Sequence, residues 1–339
     1  MAELREQTSQ VQTRPTNGLF GAPWIRALFA LIFVFLIGMI FNAGGAFFQW
    51  GTHRDMLRQI SVIGILACGM TLVIVTAGID LSVGSVLGLN AVLFAVLSLR
   101  LDWPAYLAVG ACLAVGVACG ALSGAVIARF KMQPFIATLA MMVFARGLAK
   151  SISGGEKVSR AVLQPDGSYA YVDLPRLFQA IDHEVFGGNV AVVTLIFLGC
   201  IFLCWVLLAR LRWGRYLYAV GANEEAARLS GVPTGWIKLL AYSLSGAFAA
   251  IAGICQAIQE QQGDPEAGMG YELSAIAVVV IGGTSLMGGR GSIAFTLLGT
   301  LTIGYLEKIL SINAVSEASR LILTGIIIVA AVLLQRKAA

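Results

Sequence analysis

One carboxylate stands where a carboxylate is expensive. Asp80 lies in GMTLVIVTAGIDLSVGS (residues 69–85), with no charged residue from 59 to 79 and none from 81 to 99. An ionisable group at membrane depth costs roughly 2.5–3.5 kcal/mol on insertion scales, and such groups usually mark a pathway or a turn. Two readings stay open. Asp80 lines a route for a polar solute, or it closes a tight turn at the membrane surface. In the second case Asp80 or Ser82 accepts the free N–H groups that open the next helix. The other candidates are neutral: Thr71, Thr76, Ser82, Ser85, Asn90, Gln133 and Thr138 in the first half, and Gln256, Gln259, Thr284, Ser285 and Ser292 in the second. As a set they offer the donors and acceptors that an uncharged, hydroxyl-rich solute would meet along a wet path. Singly, each is as well suited to bonding a helix backbone.

Other chemistries lack their residues. Cys68, Cys112, Cys119, Cys200, Cys204 and Cys255 all lie in apolar blocks without a CxxC, and His53 and His183 are the only histidines. That pattern argues against a disulfide framework and against a metal site. No HExxH and no GxSxG is present, so hydrolysis has no nucleophile or metal to work with. No second intramembrane aspartate partners Asp80, which weighs against an ion-coupled carrier.

The elements that hold these residues must be membrane helices. Hydrophobic residues make up 58% of the chain, charged residues 12%, and the mean hydropathy is +0.85. A soluble domain carries about 25% charged residues. The expected fold is an all-α polytopic membrane protein with about ten transmembrane helices, some broken or re-entrant, and cytoplasmic N- and C-termini. Residues 1–26 form a polar cytoplasmic tail in which Pro15 and Pro23 discourage helix, and residues 27–339 form a single membrane domain. The first apolar block, 27–48, is too long for a signal-peptide core and lacks a convincing cleavage site, so it reads as a retained span between Trp24 and Trp50. Residues 53–58 read as a short outer loop, and a last span covers 321–334. In the fourth span Ala108, Cys112, Gly116, Gly120 and Gly124 recur every four residues, a small-residue stripe made for close helix packing.

Charge sorts the loops. Arg129 and Lys131, the cation-rich segment 210–238 and the tail at Arg336-Lys337 fall inside. The segment 260–272, with four acids and no Lys or Arg, and the long polar loop 150–184 fall outside. Asp166-Gly167 offers that loop a hairpin turn. The net charge of +5 therefore reflects orientation in a bilayer, not nucleic-acid binding. IDLSVGSVLG and TSLMGGRGSI echo each other in opposite halves, a pattern of broken arms that can mark a pathway. Arg290, inside the second break, is expected at the cytoplasmic surface.

Four stretches carry a family likeness: GMTLVIVTAGIDLSVGSVLG (69–88), PFIATLAMM with ARG (134–142, 145–147), GANEEAARLSGV (221–232) and VVIGGTSLMGGRGS (279–292). In order and spacing they resemble the inner-membrane permeases of bacterial ABC importers for monosaccharides, the ribose/xylose/arabinose/galactose group, from about residue 55 onward. Ala77 where the family often has Gly, Ala294 after the second Gly-rich run, and the length of loop 151–184 are departures. The resemblance implies a permease that binds no cofactor itself. It implies a second permease copy (homo- or heterodimer), cytosolic ATPases carrying ATP and Mg, a periplasmic sugar-binding protein docking on 150–184 and 260–272, and a sugar substrate. An inositol, nucleoside or branched-chain amino-acid permease, or an ion-coupled secondary carrier, is the alternative.

The residues fit that reading on their own terms. No GxxxxGK[ST] occurs, so energy from ATP must arrive through another subunit. Gly221, Ala222, Asn223, Glu224, Glu225, Ala226, Ala227, Arg228 and Leu229 form a short polar segment between two spans, and Asn223 can cap a helix with Glu224 and Glu225 in its first turn. Such a helix can seat in a partner's cleft, with Ala226, Ala227 and Leu229 packing and Glu225 and Arg228 making polar contacts.

Overall fold

The computed structural model describes residues 23–163, 166, 168–316, 318–320, 322, 323, 325 and 326. Most of the expected tail, and most of the expected last span at 321–334, lie outside the described residues. Twelve α-helices run through the rest: α1 Pro23–Ile40, α2 Trp50–Val75, α3 Val83–Ala95, α4 Ala105–Phe130, α5 Pro134–Ser153, α6 Arg176–Ile181, α7 Val192–Trp205, α8 Arg212–Ala222, α9 Glu224–Leu229, α10 Thr234–Glu260, α11 Tyr271–Gly282 and α12 Ile293–Ile312. A π-turn prolongs α3 to Arg100 and another prolongs α7 to Arg210.

Among the described residues seven helices are long and apolar enough to cross a membrane: α2, α3 with its extension, α4, α5, α7 with its extension, α10 and α12. α1 and α11 are apolar but shorter. The count of about ten therefore resolves here into seven candidate spans and two shorter apolar helices. α11, at 12 residues, is only about 18 Å long.

Several local expectations change. Pro23 opens α1 instead of discouraging it, because proline lacks only an N–H that the first turn never uses. α1 stops at Ile40, eight residues before the expected end, where Ala43, Gly44 and Gly45 all turn to positive φ. Phe47 then folds back, with its ring against the Gly38 face of α1. Residues 53–58 are not a loop. They belong to the first turns of α2, which extends beyond its apolar part because Arg54 pairs with Glu184 (2.9 Å) and Arg58 with Asp182.

α10 is the hub. α4 lays its small-residue stripe along it: a Cβ on Gly120 would fall 2.0 Å from the Tyr242 carbonyl oxygen, and one on Gly116 2.4 Å from that of Gly246. Ala108, Cys112, Gly116, Gly120 and Gly124 are all buried. α2 and α3 pack on other sides of α10 and are buried nearly all round, as helices without a polar face must be. All six cysteines are free and buried.

The polar loop after α5 does contain a small hairpin. β2 (Ala161–Leu163) pairs antiparallel with β3 (Tyr169–Tyr171), and the Asp166 carboxylate accepts from the Ser168 N–H at 2.9 Å in the turn between them. β1 (Val158–Ser159) pairs with β6 (Gln262–Gly263), tying this element to the acidic segment after α10, and β4 (Glu184–Val185) pairs with β5 (Val190–Ala191). These strands gather at the end where α2 begins.

Candidate functional site

Asp80 sits in the seven-residue break between α2 and α3. It is 1% exposed. Its Oδ1 accepts from the Ser82 N–H (3.0 Å) and hydroxyl (2.6 Å), and its Oδ2 accepts from the Ser245 hydroxyl (2.8 Å). Ser245 is the twelfth residue of α10, about 16 Å along that helix from Thr234. Asp80 therefore does close a turn, but deep within the bundle and not at its surface. The side chain of Ser82, the N-cap of α3, makes no capping bond. Tyr242 and Thr138 direct hydroxyls to the neighbouring Ile79 carbonyl, each at 3.4 Å.

Most other path candidates are committed to the backbone. The hydroxyls of Thr71, Thr76 and Thr138 donate to carbonyls three or four residues earlier, and Asn90 Nδ2 does the same to Val86. Thr71 also meets Thr296 of α12 at 2.6 Å. Ser85 and Thr284 are buried, Gln133 is exposed, and Ser292 caps α12 by accepting from the Ala294 N–H. Gln256 and Gln259 lie in the last turns of α10, 11 and 14 residues beyond Ser245, so about 16 and 21 Å further along the helix. The structure thus divides the set between a buried centre and an outer cleft, and it does not join them into one lining.

The second broken arm touches the end of α2, just before the first broken arm begins. The Gly289 N–H donates to the Val75 carbonyl at the end of α2 (3.0 Å), and the Ser285 N–H donates to the Arg290 carbonyl, closing a tight loop between α11 and α12. Gly221, at the end of α8, is wedged between them: a Cβ there would lie 1.8 Å from the Val75 carbonyl oxygen and 2.6 Å from the Gly289 nitrogen. Tyr218 adds a hydrogen bond to the Gly291 carbonyl at 2.9 Å. Three backbones meet here: the end of α2, the α8–α9 corner and the α11–α12 loop. Only glycine at 221 permits it. Arg290 is exposed beside this junction, and Ser285 is half-buried.

From that junction projects α9. Asn223 Oδ1 accepts from the Ala226 N–H at 2.9 Å, with Glu224 and Glu225 in the first turn. Ala227 is buried against its own chain, so it is not part of an outward packing face; a six-residue helix needs one inward anchor to stay formed. Ala226 and Leu229 do face outward, and Leu229 is 76% exposed. Arg228 bonds Glu225 at 2.5 Å, and Lys238 bonds Glu224 at 2.6 Å. The hydrogen bond from Arg228, reinforced by its charge, holds the Glu225 carboxyl below the usual carboxylate range. Beside α9 a cleft of about 400 Å³ reaches Thr76, Gly78 and Tyr242, within a few residues of Asp80.

Sequence reasoning passed over Arg146. It sits in α5, and its guanidinium donates to the carbonyls of Pro265 (2.5 Å), Ala267 (2.9 Å) and Gly84 (3.4 Å). The acidic segment consequently dips along α3: Cβ atoms on Gly263 and Gly268 would meet the carbonyls of Ala91 and Gly84. The signal was legible, since 134–147 carries no charge apart from this arginine. The expectation of a single intramembrane carboxylate also changes. Glu307 lies inside α12, half-buried, and Glu272 starts α11 next to Gly84.

The comparisons with known proteins follow the same lines. Residues 53–332 match the family described as branched-chain amino acid transport system / permease component. The ribose import permease protein RbsC of Escherichia coli K12 is 39% identical over 332 residues, 96% of this chain and 98% of its own. The fructose import permease protein FrcC of Rhizobium meliloti is 36% identical over 293 residues, 85% of this chain and 79% of its own. The xylose transport system permease protein XylH of Escherichia coli K12 is 33% identical over 378 aligned positions, 94% of each chain. No solved structure matches significantly. Likeness that runs through both broken arms and the α8–α9 corner between them makes this chain a multi-pass membrane protein of the branched-chain amino acid transport system / permease component family.

Proposed function

We propose that this chain is the permease subunit of an ATP-driven, receptor-dependent importer of a monosaccharide in the bacterial inner membrane. Residues 27–339 act as one permease domain beside a second permease copy. Cytosolic ATPases hold ATP and Mg and seat α9; a periplasmic sugar-binding protein delivers to the end that carries the β-strands. Both termini then face the cytosol, with the cations of 210–238, in keeping with the positive-inside bias. Sugar relatives favour a monosaccharide over a branched-chain amino acid, despite the wording of the family description.

The observation that carries the mechanism is the Gly221 junction. A push on α9 reaches the end of α2 and the α11–α12 loop through backbone contact, without a flexible side chain to absorb it. Both arms flank Asp80 or the cleft leading to it, so their tilting would open a route past the buried polar centre. The test uses the complete complex in proteoliposomes. Glu225→Arg with Arg228→Glu should abolish stimulation of ATP hydrolysis by loaded receptor while leaving the permease folded; survival of that stimulation would remove α9 from the coupling path. Glu307 gives the ion-coupled carrier its one point of support. Uphill uptake by the purified chain alone on an ion gradient would decide for that reading.

A further inference from the structure

At the end remote from α9, one face of α2 and one face of α10 converge on a cleft of about 430 Å³. That is within the roughly 300–1,000 Å³ of small-molecule sites. Arg58 and Gln59 come from the first turns of α2, Gln256, Gln259 and Glu260 from the last turns of α10, and Tyr271 from the start of α11. The spacing 256, 259, 260 puts three hydrogen-bonding side chains on one helix face. They are held, not loose. Gln259 Nε2 donates to the Arg58 carbonyl at 3.0 Å and Gln256 Nε2 donates to Glu260 at 2.5 Å, with Tyr271 lining the same cleft. Gln256 is 8% exposed, so its amide is a buried polar group aimed into an open cleft. Arg58 is already neutralised by Asp182, and Arg54, also at the rim, by Glu184. What faces the cleft is therefore mostly amide, carboxylate and phenol. An amide fork accepts and donates across adjacent hydroxyls, a carboxylate accepts from two of them, and a tyrosine ring supplies a face for C–H groups. A charged solute would meet both signs at the rim; a neutral polyol meets partners everywhere.

We propose that this cleft is a receiving site for one monosaccharide, the first permease surface that a sugar touches on release from its receptor, with Gln59, Gln256 and Tyr271 as its contacts. The inference rests on the sugar-importer reading and adds a location to it. Binding is weak by design of the wall: two amides and a phenol grip a sugar enough to orient it and not enough to hold it.

The test is saturation-transfer NMR on the receptor-free permease–ATPase complex in nanodiscs, with ribose, fructose and xylose each as probe, alongside uptake kinetics of the full system. The wild type should show contact with at least the sugar that it transports. Gln59→Leu, at an exposed position that makes no hydrogen bond among the described residues, and Gln256→Leu should each weaken that contact and raise the uptake KM roughly 3- to 10-fold. Uptake of a probe sugar with no contact signal from it, or unaltered KM in both variants, would overturn the site and leave the importer reading standing. Lost receptor affinity with unchanged sugar contact would also overturn it, making the cleft a receptor seat. Should none of the three sugars be transported by the wild type, the importer reading fails for these sugars and the site fails with it.

Discussion

The two ends of this bundle differ in their dominant fastenings. At the end where α2 begins, contacts between segments are ionic and long-armed: Arg54 to Glu184, Arg58 to Asp182, Lys150 to Glu266 at 3.0 Å and Lys157 to Asp264 at 2.9 Å, with three two-stranded ribbons beneath them. At the end where α2 stops, Val75, Gly221 and Gly289 touch backbone to backbone. Exposed ion pairs contribute little each, about 0–1 kcal/mol, and are remade easily in another register. Backbone contact through glycine has no such slack. A surface that must release and re-form should look like the first, and a joint that must transmit force should look like the second.

The sharpest way to break the contrast is at Gly221. Gly221→Ala puts a Cβ into the Val75 carbonyl, and overpacking of this kind costs about 1–3 kcal/mol. We expect a lower thermal midpoint for the purified permease and transport that falls further than stability does. Arg146→Met should come next. It strips three backbone carbonyls of a charged donor, and an unsatisfied buried acceptor costs about 1–3 kcal/mol. Hydrogen exchange should show residues 264–268 losing protection while α10 keeps its own.

The ionic end should respond to pH in one direction. Burial pushes the Asp264 carboxyl up, but its bonds to Lys157 and to the Glu266 N–H outweigh that and hold it below the usual carboxylate range. A carboxyl depressed in the folded state stabilises above its unfolded pKa, and that contribution drains away as pH falls through the folded value. Protection at 262–263 should therefore weaken only under acid conditions, and Lys157→Met should flatten the dependence. The smallest effect belongs to α9. Glu225→Ala alone should leave the thermal midpoint essentially where it is, since the pair is exposed and three residues apart on one helix.

Legibility followed the same divide. The stripe from Ala108 to Gly124 told which face of α4 packs, because small residues every four positions have few other reasons to exist in a membrane helix. Asn223 followed by two acids announced α9, since capping chemistry is local. Asp80 was found by its isolation, yet its depth was not readable: that depends on Ser245, 165 positions away. The start of α2 was misread as a loop because its polarity is matched by Glu184 and Asp182, partners that no window around residue 55 contains. Arg146 was overlooked for a related reason, as its partners are carbonyls and carbonyls carry no sequence signature.

The cysteines decide how such motions can be watched. Because every native thiol is enclosed by packed side chains, a maleimide probe added to the intact protein has nothing of its own to label. A cysteine introduced at Ser230, on the exposed turn after α9, would carry a spin label or fluorophore on an otherwise unaltered background. Distances from that point to a label near Asn189 would report both ends of the bundle in one experiment.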